Sequence, residues 1–209
     1  VSQTPEEHQI RRSNVYTLVS LLERLHIKAE TAHILDDKDV LKTKIEVFLN
    51  DFDVLLFSGA VSKGKFDFIP EVLDELGVEE LFHKVKQRPG KPFWFGKTGN
   101  KTVFAFPGNP VSTFVSCLKY FYPWYKKSMN IFEELNQAIL TEDFFFKPDL
   151  TYFLQVKINQ KEGEIYATPV AGKGSGDLAN LVDSDAFLEL PDDSSNFTKG
   201  DVFPLINYR

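Results

Sequence analysis

The sequence is poor in the features that mark secreted and membrane proteins. Its 209 residues include one cysteine, Cys117, so a disulfide framework is excluded and a reduced intracellular setting is favoured. No uninterrupted apolar run reaches membrane-spanning length, and the N-terminal residues include Glu6, Glu7, Arg11 and Arg12 instead of the apolar stretch of a signal peptide. We therefore expect a cytoplasmic protein with no membrane partner.

Carboxylates are missing from the interval between Leu81 and Phe132. That interval contains nine cations, which are Lys84, Lys86, Arg88, Lys91, Lys97, Lys101, Lys119, Lys126 and Lys127. In a chain with a net charge of −6, this distribution predicts an anion site, although a solvated basic face would have the same composition. Nucleic acid is not an expected partner, because the chain has no overall basic excess and no stacking-aromatic module.

Charge also divides the chain in two. Residues 1–136 contain 18 Lys or Arg and 18 Asp or Glu, whereas residues 137–209 contain 6 and 12. Helical spacing of apolar residues stops near Asn136, and short alternating runs follow it. We predict an α/β domain over residues 1–136 and a small all-β, barrel-like domain over residues 137–209.

Within the first domain, helices alternate with buried apolar strands. Helices are predicted at Ser13–Leu25, Val40–Leu49, Phe68–Leu76 and from Pro110 to near Pro123, and strands at Lys28–Leu35, Asp53–Phe57, Leu81–Val85, Phe93–Lys97 and Thr102–Phe106. This order is typical of a three-layer fold with a mainly parallel sheet and helices on both faces. Because right-handed crossovers start from a strand, a further strand is expected upstream of Val1 or from another chain.

Two strand-turn-helix units share the same order of parts. Their turns are Ser58-Gly59-Ala60-Val61-Ser62 and Pro107-Gly108-Asn109-Pro110-Val111-Ser112. In the second turn, Asn109 can cap the following helix and Pro110 suits its first position. Ligands bind beyond the carboxyl ends of such strands, so both turns are expected to offer backbone N–H groups to an anion. Ordinary turn chemistry is the simpler interpretation of each motif by itself.

Two carboxylates accompany these turns. Asp36 precedes the second helix, beside the expected helix cap Asp37, and Asp67 follows the first turn. The N–H donors of the two turns and the cation-rich corner from Lys84 to Lys91 would together hold a substrate with several phosphates. The two carboxylates would hold Mg²⁺ near the phosphate oxygens. The combination indicates phosphoryl or nucleotidyl chemistry, while a capping role for Asp67 and a solvated role for the lysines remain alternatives.

Three motifs in register resemble those of the MoeA family. They are Ser58-Gly59-Ala60-Val61-Ser62-Lys63-Gly64-Lys65-Phe66-Asp67, Arg88-Pro89-Gly90-Lys91-Pro92 and Pro107-Gly108-Asn109-Pro110-Val111-Ser112. The resemblance covers essentially the whole chain and implies a MogA/MoaB-like α/β domain followed by a C-terminal β domain. Members of this family, which is related to the C-terminal domain of gephyrin, are molybdopterin molybdotransferases. The resemblance implies that adenylylated molybdopterin is bound, that its pyrophosphate bond is hydrolysed with Mg²⁺, and that molybdate is inserted at the dithiolene.

The resemblance also implies roles for individual residues. Asp36 and Asp67 would be the catalytic and metal-binding carboxylates. The residues that bind molybdate, phosphate or the pterin would be Ser58, Gly59, Ser62, Lys84, Arg88, Lys91, Pro107, Gly108, Asn109, Pro110 and Ser112. The full-length family protein is a homodimer whose N-terminal domains complete the active site, so this chain alone is expected to be weakly active or inactive.

The chain departs from the family pattern at several points. Ala60 replaces the second glycine of the first turn, and Arg88 stands where lysine is common, which keeps the charge but changes the donor geometry. The Ser-Thr-Gly-Asp-Glu strand end of the family is absent from these residues. Two alternatives follow: a MogA-like molybdopterin adenylyltransferase, which has a Gly-Gly-Thr-Gly turn and no β tail, or a gephyrin-like interaction module without turnover.

Overall fold

A computed structural model describes residues 13–35, 37–59, 61, 68–170 and 178–209. The first part of the chain forms α1 (Asn14–Arg24), α2 (Lys38–Asp51), β1 (Val54–Ser58), α3 (Ile69–Glu75), β2 (Glu79–His83), β3 (Gln87–Arg88), β4 (Trp94–Thr98), β5 (Lys101–Phe106), α4 (Pro110–Ser116), a π-helical turn (Cys117–Phe121) and α5 (Tyr122–Ser128). The second part forms β6 (Gln137–Leu140), β7 (Phe144–Phe145), β8 (Thr151–Lys161), β9 (Glu164–Pro169), a 3₁₀ helix (Leu178–Asp183), β10 (Ala186–Leu190), β11 (Asn196–Phe197) and β12 (Val202–Asn207).

The first sheet has the strand order β1-β5-β4-β2 and is covered on both faces. β1 lies parallel to β5, with Ser58 opposite Phe106. Phe104 and Phe106 of β5 pack with α1 and α4, whereas Val103 and Ala105 pack with α2 and α3 on the other face. Because helices cover both faces, β5 is apolar at every one of these positions and does not alternate.

Local sequence explains where two helices begin. The carboxylate of Asp37 accepts a hydrogen bond of 3.0 Å from the backbone N–H of Val40, so Asp37 caps α2 as predicted. Asn109 precedes α4 in an extended conformation, and its side chain makes no capping hydrogen bond. Pro110 is the first residue of α4, where its missing N–H leaves no helical bond unmade.

The second sheet closes on itself. Its order is β10-β12-β6-β9-β8, and β10 also pairs with β8, which makes a closed five-stranded barrel. The interior is apolar, and its most deeply buried side chains include Leu140, Leu154, Val156, Leu188 and Leu190. Closure leaves these strands without a free edge, and it confirms the predicted small β-barrel.

The two parts of the fold meet at β3. Gln87 and Arg88 pair in parallel with Thr151 and Tyr152 of β8, so β3 extends the barrel sheet rather than the first sheet. The loop after β3 therefore lies where the α/β part meets the barrel.

Two of the predicted elements are wrong. Residues 27–35 form no strand, and Ile27, Ala29 and Ile34 pack against the two cores of the α/β part without pairing to a described strand. Their spacing reflects burial, which an extended segment can achieve without a ladder partner. The helix from Pro110 does not end near Pro123, because Pro123 is the second residue of α5, directly after the π turn, where its missing N–H costs little.

The α/β class with helices on both faces is confirmed, but the sheet is less parallel than predicted. Among the described strands of the first sheet, β1 and β5 form a parallel pair, whereas β4-β5 and β2-β4 are antiparallel. The physical reason is local: Gly99, with φ of 56°, allows the tight turn that joins β4 to β5 as a hairpin. None of the described helices combines the length and apolar composition needed to cross a lipid bilayer.

Candidate functional site

The turns after β1 and β5 lie side by side. Because the two strands are parallel neighbours, both turns leave the same edge of the sheet. The N–H of Gly59 donates to the carbonyl oxygen of Phe106 at 3.1 Å, and a Cβ atom added to Gly108 would lie 3.9 Å from the Cα of Gly59. The structure therefore contains the juxtaposition of Ser58 and Asn109 that the strand-turn-helix pattern predicts.

Asn14 connects the two turns, and sequence reasoning missed it. Its Nδ2 donates to the hydroxyl oxygen of Ser58 at 2.8 Å and to the carbonyl oxygen of Gly108 at 2.7 Å. The sequence places Asn14 only near the start of the first predicted helix, with no role in a site. The signal that could have located it is an amide side chain at the start of a helix that packs on this sheet, but its partners are far away in sequence.

A cleft of about 430 Å³ opens beside the second turn. Six predicted binding residues line it, namely Arg88, Lys91, Pro107, Gly108, Asn109 and Ser112. The other lining residues are Pro89, Gly90 and Pro92, which belong to the Arg88 motif but had no predicted binding role, and Gln87 and Leu150, which lie outside the motifs. Leu150 comes from the second part of the chain, so the cleft is formed by both parts of the fold.

Four predicted site residues lie outside this cleft. Ser58 and Gly59 belong to the neighbouring turn, and Pro110 begins α4 without lining the cleft. Lys84 is exposed on the stem that precedes β3, where its N–H donates to the carbonyl oxygen of Phe93 at 2.8 Å. Within the described structure, the cleft thus brings together the Arg88 and Pro107 motifs but not Lys84.

Three predicted residues fall outside the part of the chain that the structure describes. They are Asp36, Asp67 and Ser62. Among the residues that are described, no group of three or more His, Cys, Asp or Glu side chains could hold a metal ion.

Most cations of the carboxylate-free interval have partners from elsewhere in the chain. Lys86, Lys97, Lys101, Lys119 and Lys126 each pair with a carboxylate that lies outside the interval. Arg88 and Lys91 make no such pair with a described residue, and both line the cleft. The guanidinium of Arg88 lies 5.9 Å from the ring centroid of Phe146, so the barrel supports its position. Arg88 and Lys91 are therefore the two cations of the cleft that can bind an anion.

Buried side chains support the loop that carries these cations. Gly90 has a φ of +99°, and an added Cβ would lie 2.7 Å from Gln87 Nε2 and 2.8 Å from Ser116 Oγ. Burial, together with the charge of Glu189, raises the pKa of Tyr120 to about 12. Its hydroxyl is therefore protonated at neutral pH and donates to Gln87 Oε1.

Burial likewise raises the pKa of Cys117 to about 12, which excludes a reactive thiolate there.

Comparison with known proteins shows which family has these features. Residues 1–127 match the family model "Probable molybdopterin binding domain", and residues 137–208 match "MoeA C-terminal region (domain IV)". A molybdopterin molybdenumtransferase of Synechocystis sp. is 42% identical over 208 residues, covering 98% of this chain and 51% of that protein. A molybdopterin molybdenumtransferase of Bacillus subtilis is 28% identical and is covered over 47% of its length by 96% of this chain.

A solved structure has the same architecture. The crystal structure of a molybdopterin biosynthesis moeA protein from Pyrococcus horikoshii superposes with a TM-score of 0.76 at 27% identity, over all of this chain and 50% of that one. The fold is therefore that of a MogA/MoaB-like α/β domain followed by a C-terminal barrel domain. The chain belongs to the MoeA family, and it spans about half the length of the curated relatives it matches. The match at residues 137–208 disfavours a MogA-like adenylyltransferase, for which no β domain is expected.

Proposed function

We propose that this chain is the cofactor-binding half of a molybdopterin molybdotransferase. The complete protein would insert molybdate into adenylylated molybdopterin and hydrolyse the adenylyl group with the help of Mg²⁺. Family membership and the names of the relatives in Synechocystis and Bacillus support this proposal. The two family matches also support a division into domains 1–136 and 137–209. Following the family resemblance, we propose a cytoplasmic homodimer for the full-length protein and little turnover for this chain alone.

One structural observation carries the proposal: the paired turns adjoin a cation-lined cleft. Asn14 holds Ser58 and Gly108 together, and Gly108 also lines the cleft that contains Arg88 and Lys91. Backbone N–H groups at such turns suit a phosphate, and neighbouring cations suit an oxyanion. We assign the phosphate end of the pterin to the turns and molybdate to the cleft.

The cleft residues would divide the binding task by their chemistry. Arg88 presents a planar group that can donate two parallel hydrogen bonds to one oxyanion, whereas Lys91 acts as a compact point charge. Ser112 is 3% exposed and lines the cleft, so its hydroxyl could add one directional bond. A dianion such as molybdate would in this way replace its hydration shell with a few oriented donors.

The Mg²⁺ ligands remain a prediction. Asp36 and Asp67 have the hard oxygen donors that Mg²⁺ prefers. Their described neighbours, Asp37 and Phe68, precede α2 and α3. The two helices run side by side. Lys38, near the start of α2, forms an ion pair of 2.7 Å with Glu71, near the start of α3. Both helices therefore begin at the same end, which supports the choice of these two carboxylates.

Calorimetric titration of the full-length protein with molybdopterin, its adenylylated form and molybdate tests the proposal. Lys91→Glu should weaken molybdate binding by at least tenfold, because it removes a cation from the cleft and adds a repulsive charge. Lys127→Glu makes the same charge change at an exposed site on α5 and should leave binding unchanged. Lys84→Glu measures whether the site extends beyond the cleft.

The same titrations give the opposing result. If the wild-type protein binds neither pterin nor molybdate, the fold serves as an interaction module and the proposed function is wrong. Asp67→Ala extends the test to the predicted metal ligands, since it should reduce Mg²⁺-dependent hydrolysis of the adenylyl group without preventing molybdate binding.

A further inference from the structure

The loop that carries Arg88 and Lys91 rests on a buried amide. Gln87 is only 3% exposed, and its Nε2 donates to the carbonyl oxygen of Pro89 at 2.9 Å. Its Oε1 accepts a hydrogen bond from the hydroxyl of Tyr120. One buried side chain thus links the cleft loop to the helix behind it, with both ends of its amide group satisfied.

The position of Tyr120 is itself closely determined. The residue lies in the π turn between α4 and α5, and its ring stacks on Phe93 with centroids 4.4 Å apart. Its neighbour Lys119 donates to both carboxylate oxygens of Glu189 on the barrel, at 2.6 and 2.8 Å. π turns are often found at functional sites, and here the turn directs Tyr120 to the cleft loop and the preceding residue, Lys119, to the barrel.

The loop has little freedom to shift on this support. The backbone N–H of Val85 donates to the carbonyl oxygen of Lys91 at 2.9 Å and closes the base of the loop. At its centre, Gly90 approaches Gln87 and Ser116 so closely that an added Cβ would displace one of these side chains. Movement of the Gln87 amide would therefore move the backbone that carries Arg88 and Lys91.

We propose that Tyr120 and Gln87 are positioning residues for the oxyanion substrate. The amide of Gln87 is engaged by Pro89 and Tyr120, so Tyr120 acts through Gln87 to hold the Arg88 and Lys91 loop in the geometry that binds molybdate. The proposal rests on the function proposed above, and it concerns residues outside the three motifs that identify the family.

Steady-state kinetics with molybdate as the varied substrate test the functional part in the full-length protein. Tyr120→Phe keeps the ring stacked on Phe93 and removes the hydroxyl, so KM for molybdate should rise about tenfold while kcat stays within about twofold. Gln87→Leu should have the same effect. The double variant should be no worse than Gln87→Leu alone, because Tyr120 acts only through Gln87.

Tyr122→Phe is the matched control. Tyr122 is also partly buried in the same helical segment, and its hydroxyl donates to the carbonyl oxygen of Leu21 at 2.7 Å, away from the cleft. This variant should lose comparable stability without a change in KM. Equal KM values for Tyr120→Phe and Tyr122→Phe would overturn the proposal.

Hydrogen exchange separates this proposal from the proposed function. The amide protons of Lys84, Val85 and Gln87 are hydrogen-bonded in the loop stem, and they should exchange faster in Tyr120→Phe than in Tyr122→Phe. Unchanged exchange means that Tyr120 does not support the loop, whether or not the enzyme turns over. Faster exchange with an unchanged KM refutes the positioning role. If the wild-type protein shows no molybdate-dependent turnover at all, the proposed function fails, and the positioning role, which needs that substrate, fails with it.

Discussion

Asn14 and Gly108 are joined by a hydrogen bond of 2.7 Å from the Asn14 side-chain amide to the Gly108 carbonyl oxygen. The same nitrogen donates to Ser58 at 2.8 Å, so one side chain from α1 holds the turns that follow two parallel strands. A binding site on two loops needs such support, because each loop alone is free to move relative to the other.

Removing this link should affect binding more than folding. Asn14→Ala deletes two exposed hydrogen bonds, so the free energy of unfolding should fall by no more than about 1 kcal/mol. Molybdopterin affinity, measured by calorimetry, should fall about tenfold because the turns separate more easily. Asn50→Ala, at an exposed position on α2, controls for the loss of a surface amide. Equal affinities in the two variants would show that Asn14 is not part of the site.

Gly90 should be less tolerant of a side chain than other glycines with positive φ. Gly90→Ala adds a Cβ 2.7 Å from Gln87 Nε2, whereas Gly163→Ala, at φ of +85°, meets nothing within 4 Å. Both variants should lose about 1 kcal/mol or more through backbone strain. Urea denaturation should show a clearly larger loss for Gly90→Ala, and similar losses would mean that the packing around Gln87 yields easily.

Removing one member of the Lys119–Glu189 ion pair should lower the free energy of unfolding more than removing both. The two side chains are 34% and 21% exposed, and their closest contact is 2.6 Å. Lys119→Met leaves the Glu189 carboxylate partly buried without its partner, which should cost about 1 to 3 kcal/mol. The double variant with Glu189→Leu should recover much of that loss in urea denaturation.

A second lysine offers the comparison for that pair. Lys86 contacts Asp149 and Asp192 at 2.8 and 2.9 Å, but its side chain is 55% exposed. Lys86→Met should therefore change the melting temperature little. A larger effect at Lys86 than at Lys119 would contradict the argument from burial.

The pair of helices α2 and α3 should give the protein a measurable acid dependence. Hydrogen bonds from Lys38 and then Lys42 lower the pKa of Glu75 from 4.5 to about 2. A lowered folded-state pKa means that the stabilisation is complete above about pH 4.5 and is lost as the pH falls towards 2. Melting temperatures across this range should fall more steeply for the wild type than for Glu75→Gln. The difference will be small because these side chains are in contact with solvent.

Glu46→Gln is the control for the acid dependence. Glu46 is exposed on the same helix, α2. Its pH profile should follow the wild type, and a profile that instead follows Glu75→Gln would assign the acid loss to general charge repulsion.

Local sequence patterns predicted most of the elements because local physics determines them. The Pro110 helix start, the Asp37 cap and the short alternating strands after Asn136 each depend on neighbours in sequence. The prediction of a strand at Lys28–Leu35 was wrong, because the spacing of apolar residues indicates which side chains are buried but not whether the backbone pairs with another strand. The parallel character of the sheet was overestimated because the tight turn at Gly99 reverses the chain between β4 and β5.

The sequence by itself determined the two-part architecture, the two glycine-containing turns and the motifs that place the chain in the MoeA family. These follow from short-range backbone preferences and from residue types at fixed spacing. Only the tertiary structure decided that Asn14 joins the turns, that Arg88 and Lys91 are the cleft cations left unpaired by described carboxylates, and that Tyr120 reaches Gln87. Those contacts span 33 to 94 residues of chain, and no local preference encodes which distant partner a side chain meets.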